Sequence, residues 1–436
     1  MNKHLLLNII VWLSLFSGLA QDNVWSIEEC IATAMDNNLD IKLEQLEIAI
    51  AKKNYNNPIY QMLPSVHMTA DHSYNFGSTI DPGTNGRVSS NIQLDNLYLN
   101  TQMELLNFGT LATEARNKID IDKAKLNKSV IEYEYKLRIL EHYFQVLYTQ
   151  ELIKIQEEQY ENTIYNVKRV TKEVELGNKP KSDLYDIQLT SALEEKRISE
   201  TKQLFDIQRL QLFQMMNFEP ENINNISFMS LFKTIESDYK YNMELAYNPK
   251  ILLAKMNSKG SKKEIAIQRA ASMPSITAYY GLSSFYSRPL NQQDPVINDF
   301  WSQVDNNKNH QLGLQLAIPI FNGFKNSRKV KSATIALKQS KLQQANEIEK
   351  VAQEIDREEM KKNQYEDLEE KLENTVFYAK ESYRTTESKF LNGEVEAIIY
   401  TTVKNQLLSS QYEKLKNQLL IQYSQLRINL LRTASL

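Results

Sequence analysis

The sequence predicts an α+β membrane fold with long coiled-coil helices, four transmembrane β-strands and an internal duplication. Three observations predict it. Apolar residues recur at spacings of four and three over stretches far longer than a globular helix. Four segments alternate apolar and polar residues at period two. The order helix, strand, loop, strand, long helix, turn, helix occurs twice, roughly 210 positions apart.

Composition narrows the class before any element is placed. Charged residues make up 24% and hydrophobic ones 42% of the 436 residues, which excludes both a disordered chain and a helical membrane protein. A formal charge of -3 gives no general attraction to nucleic acid. Only 11 glycines and 10 prolines occur, a scarcity that suits unbroken helices. Residues 1–20 have a basic start at Lys3, an apolar run from Leu5 to Phe16, and small residues at Gly18 and Ala20. That is the pattern of a secretory signal peptide cleaved after Ala20; the run is too short for a spanning helix and a polar segment follows. No cysteine stands at the cleavage point, which argues against a lipid anchor. Cys30, the single cysteine, reads as a packed helix residue.

The first repeat, residues 21–232, holds a helix over Ile27–Asn57, strands at 64–77 and 91–107, and a long helical hairpin over 110–217. The second, residues 233–436, holds a helix over Met243–Ser272, strands at 274–286 and 311–321, and a hairpin over 323–433. Leu126, Val130, Tyr133, Leu137, Leu140, Phe144 and Leu147 form a heptad seam, continued by Tyr160, Ile164, Val167, Thr171 and Val174. Ile348, Val351 and Ile355, then Tyr365, Leu368, Leu372, Thr375 and Ala379, form its counterpart. A helix over residues 111–176 runs roughly 100 Å at about 1.5 Å per residue. No single globular core covers that length, so neighbouring helices must flank it. Each hairpin turns at a glycine, Gly177 or Gly393, able to take the left-handed conformation that ends a helix, and Pro180 suits the first turn of the next.

In the first strand Val66, Met68, Ala70, Tyr74 and Phe76 alternate with polar residues, His72 being the exception on the apolar side. In the second, Leu97, Leu99, Met103 and Leu105 alternate with Tyr98, Asn100, Gln102 and Glu104; Ile92 and Leu94 are in the opposite phase, which predicts a bulge near Asp95-Asn96. The third sets Ile276, Ala278, Tyr280 and Leu282 on one face, and the fourth Leu312, Leu314, Leu316, Ile318 and Ile320. Alternation alone suits a soluble sheet under helices as well. Export, helices too long to fold over a small sheet, and long polar loops favour strands in lipid. Tyr74, Phe76, Tyr279, Tyr280, Phe285 and Tyr286 are expected to gather at one end as an interfacial girdle. A barrel in lipid must close, and single-chain bacterial barrels begin at eight strands. Four strands per chain therefore require several copies: two give eight strands, three give twelve. Asp71, Asn100, Gln102, Glu104 and Gln315 would face a water-filled lumen.

The ordered, duplicated set resembles the TolC-like outer-membrane efflux proteins over about residues 25–433. The carriers are Trp25-Ser26-Ile27-Glu28-Glu29-Cys30-Ile31 with Asn37-Asn38 following, the strand starts Leu63-Pro64-Ser65 and Met273-Pro274-Ser275, the strand exits Asn107-Phe108-Gly109 and Phe321-Asn322-Gly323, and the two glycine turns. The resemblance implies a homotrimer in the outer membrane of a Gram-negative-type bacterium, with a shared 12-stranded β-barrel in outer-membrane lipid and a periplasmic α-helical tunnel. Such proteins are passive exit ducts of tripartite efflux pumps or type I secretion systems, driven by an inner-membrane transporter through a periplasmic membrane-fusion adaptor. It carries the adaptor-contact tip onto Leu176, Gly177, Asn178 and Lys179 and onto Asn392, Gly393, Glu394 and Val395. The family's acidic tunnel rings, six and nine residues after the second glycine, fall here on Ile399 and Thr402. The same offsets after the first glycine give Asp183 and Asp186. These four are the candidates for a tunnel constriction, and the acidic gate is missing from its expected place.

Nothing in the sequence supports enzymatic activity or a cofactor. His67 and His72 sit on opposite faces of one strand, the wrong arrangement for joint metal ligation. No phosphate-binding glycine loop and no cysteine-histidine nucleophile pair occurs. The competing reading is an exported soluble coiled-coil scaffold or adaptor, against which two hairpins and two strand pairs count. Drug, metal and protein cargo all stay open.

Overall fold

A computed structural model describes residues 23–55, 58–80, 85–89, 91–219, 223, 226–229, 247–290 and 299–435. The expected signal peptide lies outside them. In chain order the elements are β1 (Asn23–Trp25), α1 (Ile27–Asn37), α2 (Leu39–Asn54), α3 (Pro58–Gln61), β2 (Ser65–Asn75), β3 (Ser78–Ile80), β4 (Arg87–Ser89), β5 (Ile92–Asn107), α4 (Phe108–Glu175), α5 (Lys181–Met215), β6 (Ile226–Phe228), α6 (Pro249–Ala270), β7 (Ser275–Pro289), α7 (Phe300–Asn306), β8 (Asn309–Ala317), α8 (Lys325–Leu391) and α9 (Ala397–Thr433). Among the described residues no helix is long and apolar enough to cross a membrane. Two compact units form: one from Met1–Leu46, Leu126–Leu253 and Ala345–Leu436, the other from Glu47–Lys125 and Ala254–Gln344.

The second unit is built on an antiparallel sheet of order β2-β5-β7-β8. Register aligns the apolar positions into cross-strand rows: Leu106·Ile276·Leu316, Met103·Ala278·Leu314, Val66·Thr101·Tyr280·Leu312, Met68·Leu99·Leu282 and Ala70·Leu97·Ser284. From Ile276 to Ser284 the strand advances about 26 Å at about 3.3 Å per residue, close to the apolar band of an outer-membrane barrel. Large apolar side chains on this face are exposed, Leu312 and Leu314 among them. β2 and β8 have no strand partner on their outer edges among the described residues.

Three strand expectations are corrected. β5 keeps register through Asp95 and Asn96 on both sides; its shift falls between Glu104 and Leu106. The opposite phase of Ile92 and Leu94 marks the end of the apolar band, where the row becomes His72·Asp95·Tyr286 and His72 Nδ1 pairs with Asp95. Ile92 is instead buried on the other face. The bulge at Leu105 returns Leu106 to the apolar face just before the chain turns into α4. Second, the aromatics do not gather at one end. Tyr279 and Tyr280 lie level with Gln102 and Thr101, whereas Phe285 and Tyr286 lie level with Asn96 and Asp95, and period two sends each neighbouring pair to opposite faces. Third, β8 ends at Ala317, which pairs with Ser275, the first residue of β7. The next position would set Ile318 against Pro274, which lies outside β7 and has no N–H to offer, and Pro319 has none either.

The two strand-to-helix exits, after β5 and after β8, differ. Asn107 Oδ1 accepts from Gly109 N at 2.9 Å and its Nδ2 donates to Glu104 at 3.1 Å, which also accepts from Thr110 Oγ1 at 3.0 Å. A Cβ on Gly109 would stand 3.0 Å from Asn107 Oδ1. After β8 the turn is made by consecutive left-handed residues, Gly323 and Phe324.

In the first unit β1 pairs with β6 in parallel, a two-stranded element too short to read from the sequence. Ser26 caps α1 in a box with Glu29, whose carboxylate accepts Ser26 N at 2.8 Å while Ser26 Oγ accepts Glu29 N at 3.2 Å. The largest core gathers Ile27, Cys30, Leu140, Tyr143, Phe144, Leu147, Phe213 and Phe228. Burial pushes the Cys30 thiol up to about 12, so it packs as a small hydrophobe. Burial also raises Tyr143; its hydroxyl lies 3.0 Å from Trp25 O and 2.7 Å from Met229 O, tying the C-terminal ends of β1 and β6 to α4.

The upper heptad seam of α4 is apolar, with Tyr133, Leu140, Phe144 and Leu147 buried. Lower down, the predicted row Tyr160, Ile164, Val167, Thr171 and Val174 is only half-buried. The fully buried row is Gln156, Gln159, Thr163, Asn166 and Val170, which keeps the spacing of three and four but is mostly polar. Hydrophobic pattern alone misplaces such a seam by one residue.

Candidate functional site

The two glycine turns close the same way. Gly177 and Gly393 take φ of +75° and +76°. Asn178 N donates to Glu173 O at 2.8 Å and Gly177 N to Val174 O at 3.0 Å; Glu394 N donates to Lys389 O at 2.9 Å and Gly393 N to Phe390 O at 3.2 Å. This pair of hydrogen bonds satisfies two terminal carbonyls while the left-handed residue sends the chain away. Open space surrounds the position a Cβ would take on either glycine. Leu176, Gly177, Asn178, Asn392, Gly393 and Glu394 are exposed, and Leu176 shows 75% of its surface.

Lys179 is different. Its Nζ sits 4.1 Å from the centre of the Phe390 ring, donates to Phe390 O at 3.2 Å and lies 3.6 Å from Asp183. That buried pair takes Lys179 out of the exposed tip and Asp183 out of the set of free tunnel charges. Phe390 stacks on Tyr400 with centroids 4.7 Å apart, and Val395 packs against the same cluster. Arg169 also lies over this ring, 5.2 Å from the Phe390 ring centre, so Phe390 is the hub of the cluster. Asp186 is half-buried; Ile399 and Thr402 are exposed, with Thr402 Oγ1 donating to Ile398 O at 2.8 Å.

Above this hub lies a polar network that the sequence reading missed. Lys404 on α9 is 0% exposed; its Nζ forms an ion pair with Glu194 on α5 at 2.8 Å, donates to Gln159 O on α4 at 2.9 Å and contacts Thr163. Thr163 Oγ1 donates to Glu194 at 2.6 Å. Asn166 donates to Tyr400 Oη at 2.8 Å, which lies 3.0 Å from Tyr383 Oη, and Tyr383 donates to Glu387 at 2.7 Å. Burial lowers the Lys404 ammonium and pushes Tyr400 up to about 12. Lys404 sits two positions past Thr402 in an apolar-spaced helix. A lysine at a core spacing was the available signal.

On the sheet, Asp71, Asn100, Gln102, Glu104 and Gln315 all lie on the face opposite the apolar rows. Tyr279 covers Gly313 there; a Cβ at Gly313 would come within 3.0 Å of the Tyr279 ring.

A family model of outer membrane efflux proteins matches residues 241–431. No curated protein sequence matches the chain. Among solved structures the chain is similar to the Campylobacter jejuni CmeC outer membrane channel, with a TM-score of 0.77, 15% identity, and coverage of 93% of this chain and 85% of that one. It is similar to the Vibrio cholerae outer membrane protein VceC, with a TM-score of 0.76, 13% identity, and coverage of 93% and 95%. The open state of the Neisseria gonorrhoeae MtrE outer membrane channel gives 0.72, 14%, 93% and 88%. At these identities the likeness establishes the fold.

Proposed function

We propose that this chain, whose residues 241–431 match the outer membrane efflux proteins and whose fold is that of outer-membrane channels, is an outer-membrane exit duct. It serves a tripartite efflux pump or a type I secretion system as a passive conduit. An inner-membrane transporter drives it through a periplasmic adaptor. The observation that carries the reading is the four-stranded sheet with an exposed apolar face and two open edges. In lipid those edges must pair, because no water satisfies them there. The strands alternate in direction, so β8 of one copy meets β2 of the next antiparallel and the alternation continues around a closed ring. Three copies make twelve strands, enough to enclose water where eight are filled by side chains. The polar face then lines the lumen with Asp71, Asn100, Gln102, Glu104 and Gln315.

After cell breakage the protein is expected in the outer-membrane fraction, released by detergent as a complex of three chains. Unaggregated protein in a detergent-free periplasmic extract overturns the reading, and a complex of two chains overturns the trimer.

The glycine turns are the adaptor contact. Gly393→Ala is expected to cost about 1–2 kcal/mol, the left-handed penalty alone, since no atom crowds the site. Gly393→Trp costs a similar amount for the same reason, yet its bulk projects where the adaptor docks. Transport should survive the alanine and fail with the tryptophan at equal protein levels. Equal transport by both argues against contact at this turn.

A further inference from the structure

The chain carries a formal charge of -3, yet its cations are unevenly placed. From Asn306 to Asn346 there are seven lysines and arginines and no carboxylate. Lys325, Arg328, Lys329 and Lys331 open α8, Arg269 closes α6 and Lys53 closes α2; all six are exposed and none makes an ion pair among the described residues. Lower on α8 the pattern differs, with Lys361 and Lys362 paired to Glu358 and Glu366. The cations stand where the helices of the second unit join its sheet, before β2 and β7 and after β8. Asn326 Nδ2 donates to Ala271 O and Ser272 Oγ, each at 2.9 Å, which joins the start of α8 to the end of α6. Lys331 stands about 9 Å along the helix from Lys325 at about 1.5 Å per residue, so Lys325–Lys331 fit within about one Debye length.

Between these cations and the strands lie exposed apolar side chains. Ile318, Ile320, Phe321 and Phe324 follow β8, with Ile320 94% exposed, and Phe321 packs edge-on to Phe324 at 5.5 Å. Before β2 the order is mirrored: Lys53, then exposed Ile59, Tyr60 and Leu63, then the strand. A water-filled lumen gives no reason to expose isoleucine and phenylalanine beside lysine. A bilayer interface does, because apolar and aromatic side chains enter the acyl boundary while lysine and arginine meet headgroup phosphates.

Resting on the channel reading above, we infer that Lys53, Arg269, Lys325, Arg328, Lys329 and Lys331 form a collar that binds the phosphates of anionic phospholipids at the periplasmic surface of the outer membrane. The full-length complex, reconstituted into phosphatidylcholine vesicles with or without phosphatidylglycerol and then extracted, is assayed for retained lipid by native mass spectrometry. Wild type should retain phosphatidylglycerol over phosphatidylcholine by about threefold or more, less so at high salt. The triple variant K325Q/R328Q/K329Q should lose that preference, while K338Q/K341Q, farther along the same helix, keeps it. Equal retention of both lipids by wild type, or an undiminished preference in the triple variant, overturns the collar. So does a triple variant that alters only the anion selectivity of conductance, which would put these cations in the lumen. Failure of wild type to float with either vesicle overturns the channel reading itself.

Discussion

Lys404→Met is expected to destabilise the helical unit by about 3–5 kcal/mol, the cost of leaving one member of a buried ion pair unpaired. The partner left behind is Glu194, itself buried and held by Thr163. The double variant K404M/E194L should recover most of the loss, because packed hydrophobes replace a buried pair at little or no cost. Thermal unfolding of the detergent-solubilised complex, followed by helical circular dichroism, separates the three proteins. A single variant that melts with wild type would show that the pair contributes nothing to holding α9 against α4 and α5. The pH dependence has a defined sign. Folding depresses the Lys404 pKa from its ordinary 10.5, so the unfolded chain binds more protons between the two values. Stability from this group therefore climbs as pH rises through that window. Tyr400, raised from 10.0 to about 12, acts oppositely and withdraws stability above pH 10. K404M should remove the climb and leave the alkaline loss.

The polar seam gives that prediction a functional edge. A coiled coil closed by Leu and Ile would hold α9 more firmly than one closed by Gln156, Gln159, Thr163 and Asn166, whose positions specify register at a cost in stability. The Oε1 atoms of Gln156 and Gln159 lack partners among the described residues, which adds to that cost.

Much of the fold was legible because the physics is periodic. Four-three spacing gave α4 and α8, and period two gave the rows that run from Leu106 to Ala70. What escaped was information that periodicity does not carry. Ile92 and Leu94 broke phase because the environment changed at Asp95, and a phase break looks the same whether caused by a bulge or by the end of a band. Gln159 and Lys404 are buried because their polar atoms meet across three helices, a fact fixed by tertiary pairing rather than by residue type. At the turns the glycines were readable from their conformational need, but Lys179 and Asp183 were not. Each is an ordinary surface residue by sequence, and Phe390, more than 200 positions away, draws the lysine inward.

Leu314→Arg is expected to be strongly damaging, and Gln315→Arg, one residue on, nearly harmless. Leu314 is 72% exposed in the single chain and lies in the row Met103·Ala278·Leu314. Arginine on the lipid face of a barrel costs about 2–4 kcal/mol at the bilayer midplane and falls toward zero at the interfaces. Leu316→Arg, nearer the helix end of β8, should therefore cost less than Leu314→Arg. Gln315 shares its face with Glu104 and Thr277, where water solvates an added charge. Recovery of folded complex in the outer membrane, read on semi-native gels and by unfolding in lipid vesicles, ranks the three variants. If Gln315→Arg proves worse than Leu314→Arg, the faces are reversed and the polar rows are packed inside. If all three are harmless, the apolar stripe does not meet lipid at all. Only the order Leu314, Leu316, Gln315 fits a sheet whose one face was written for acyl chains and whose other was written for water.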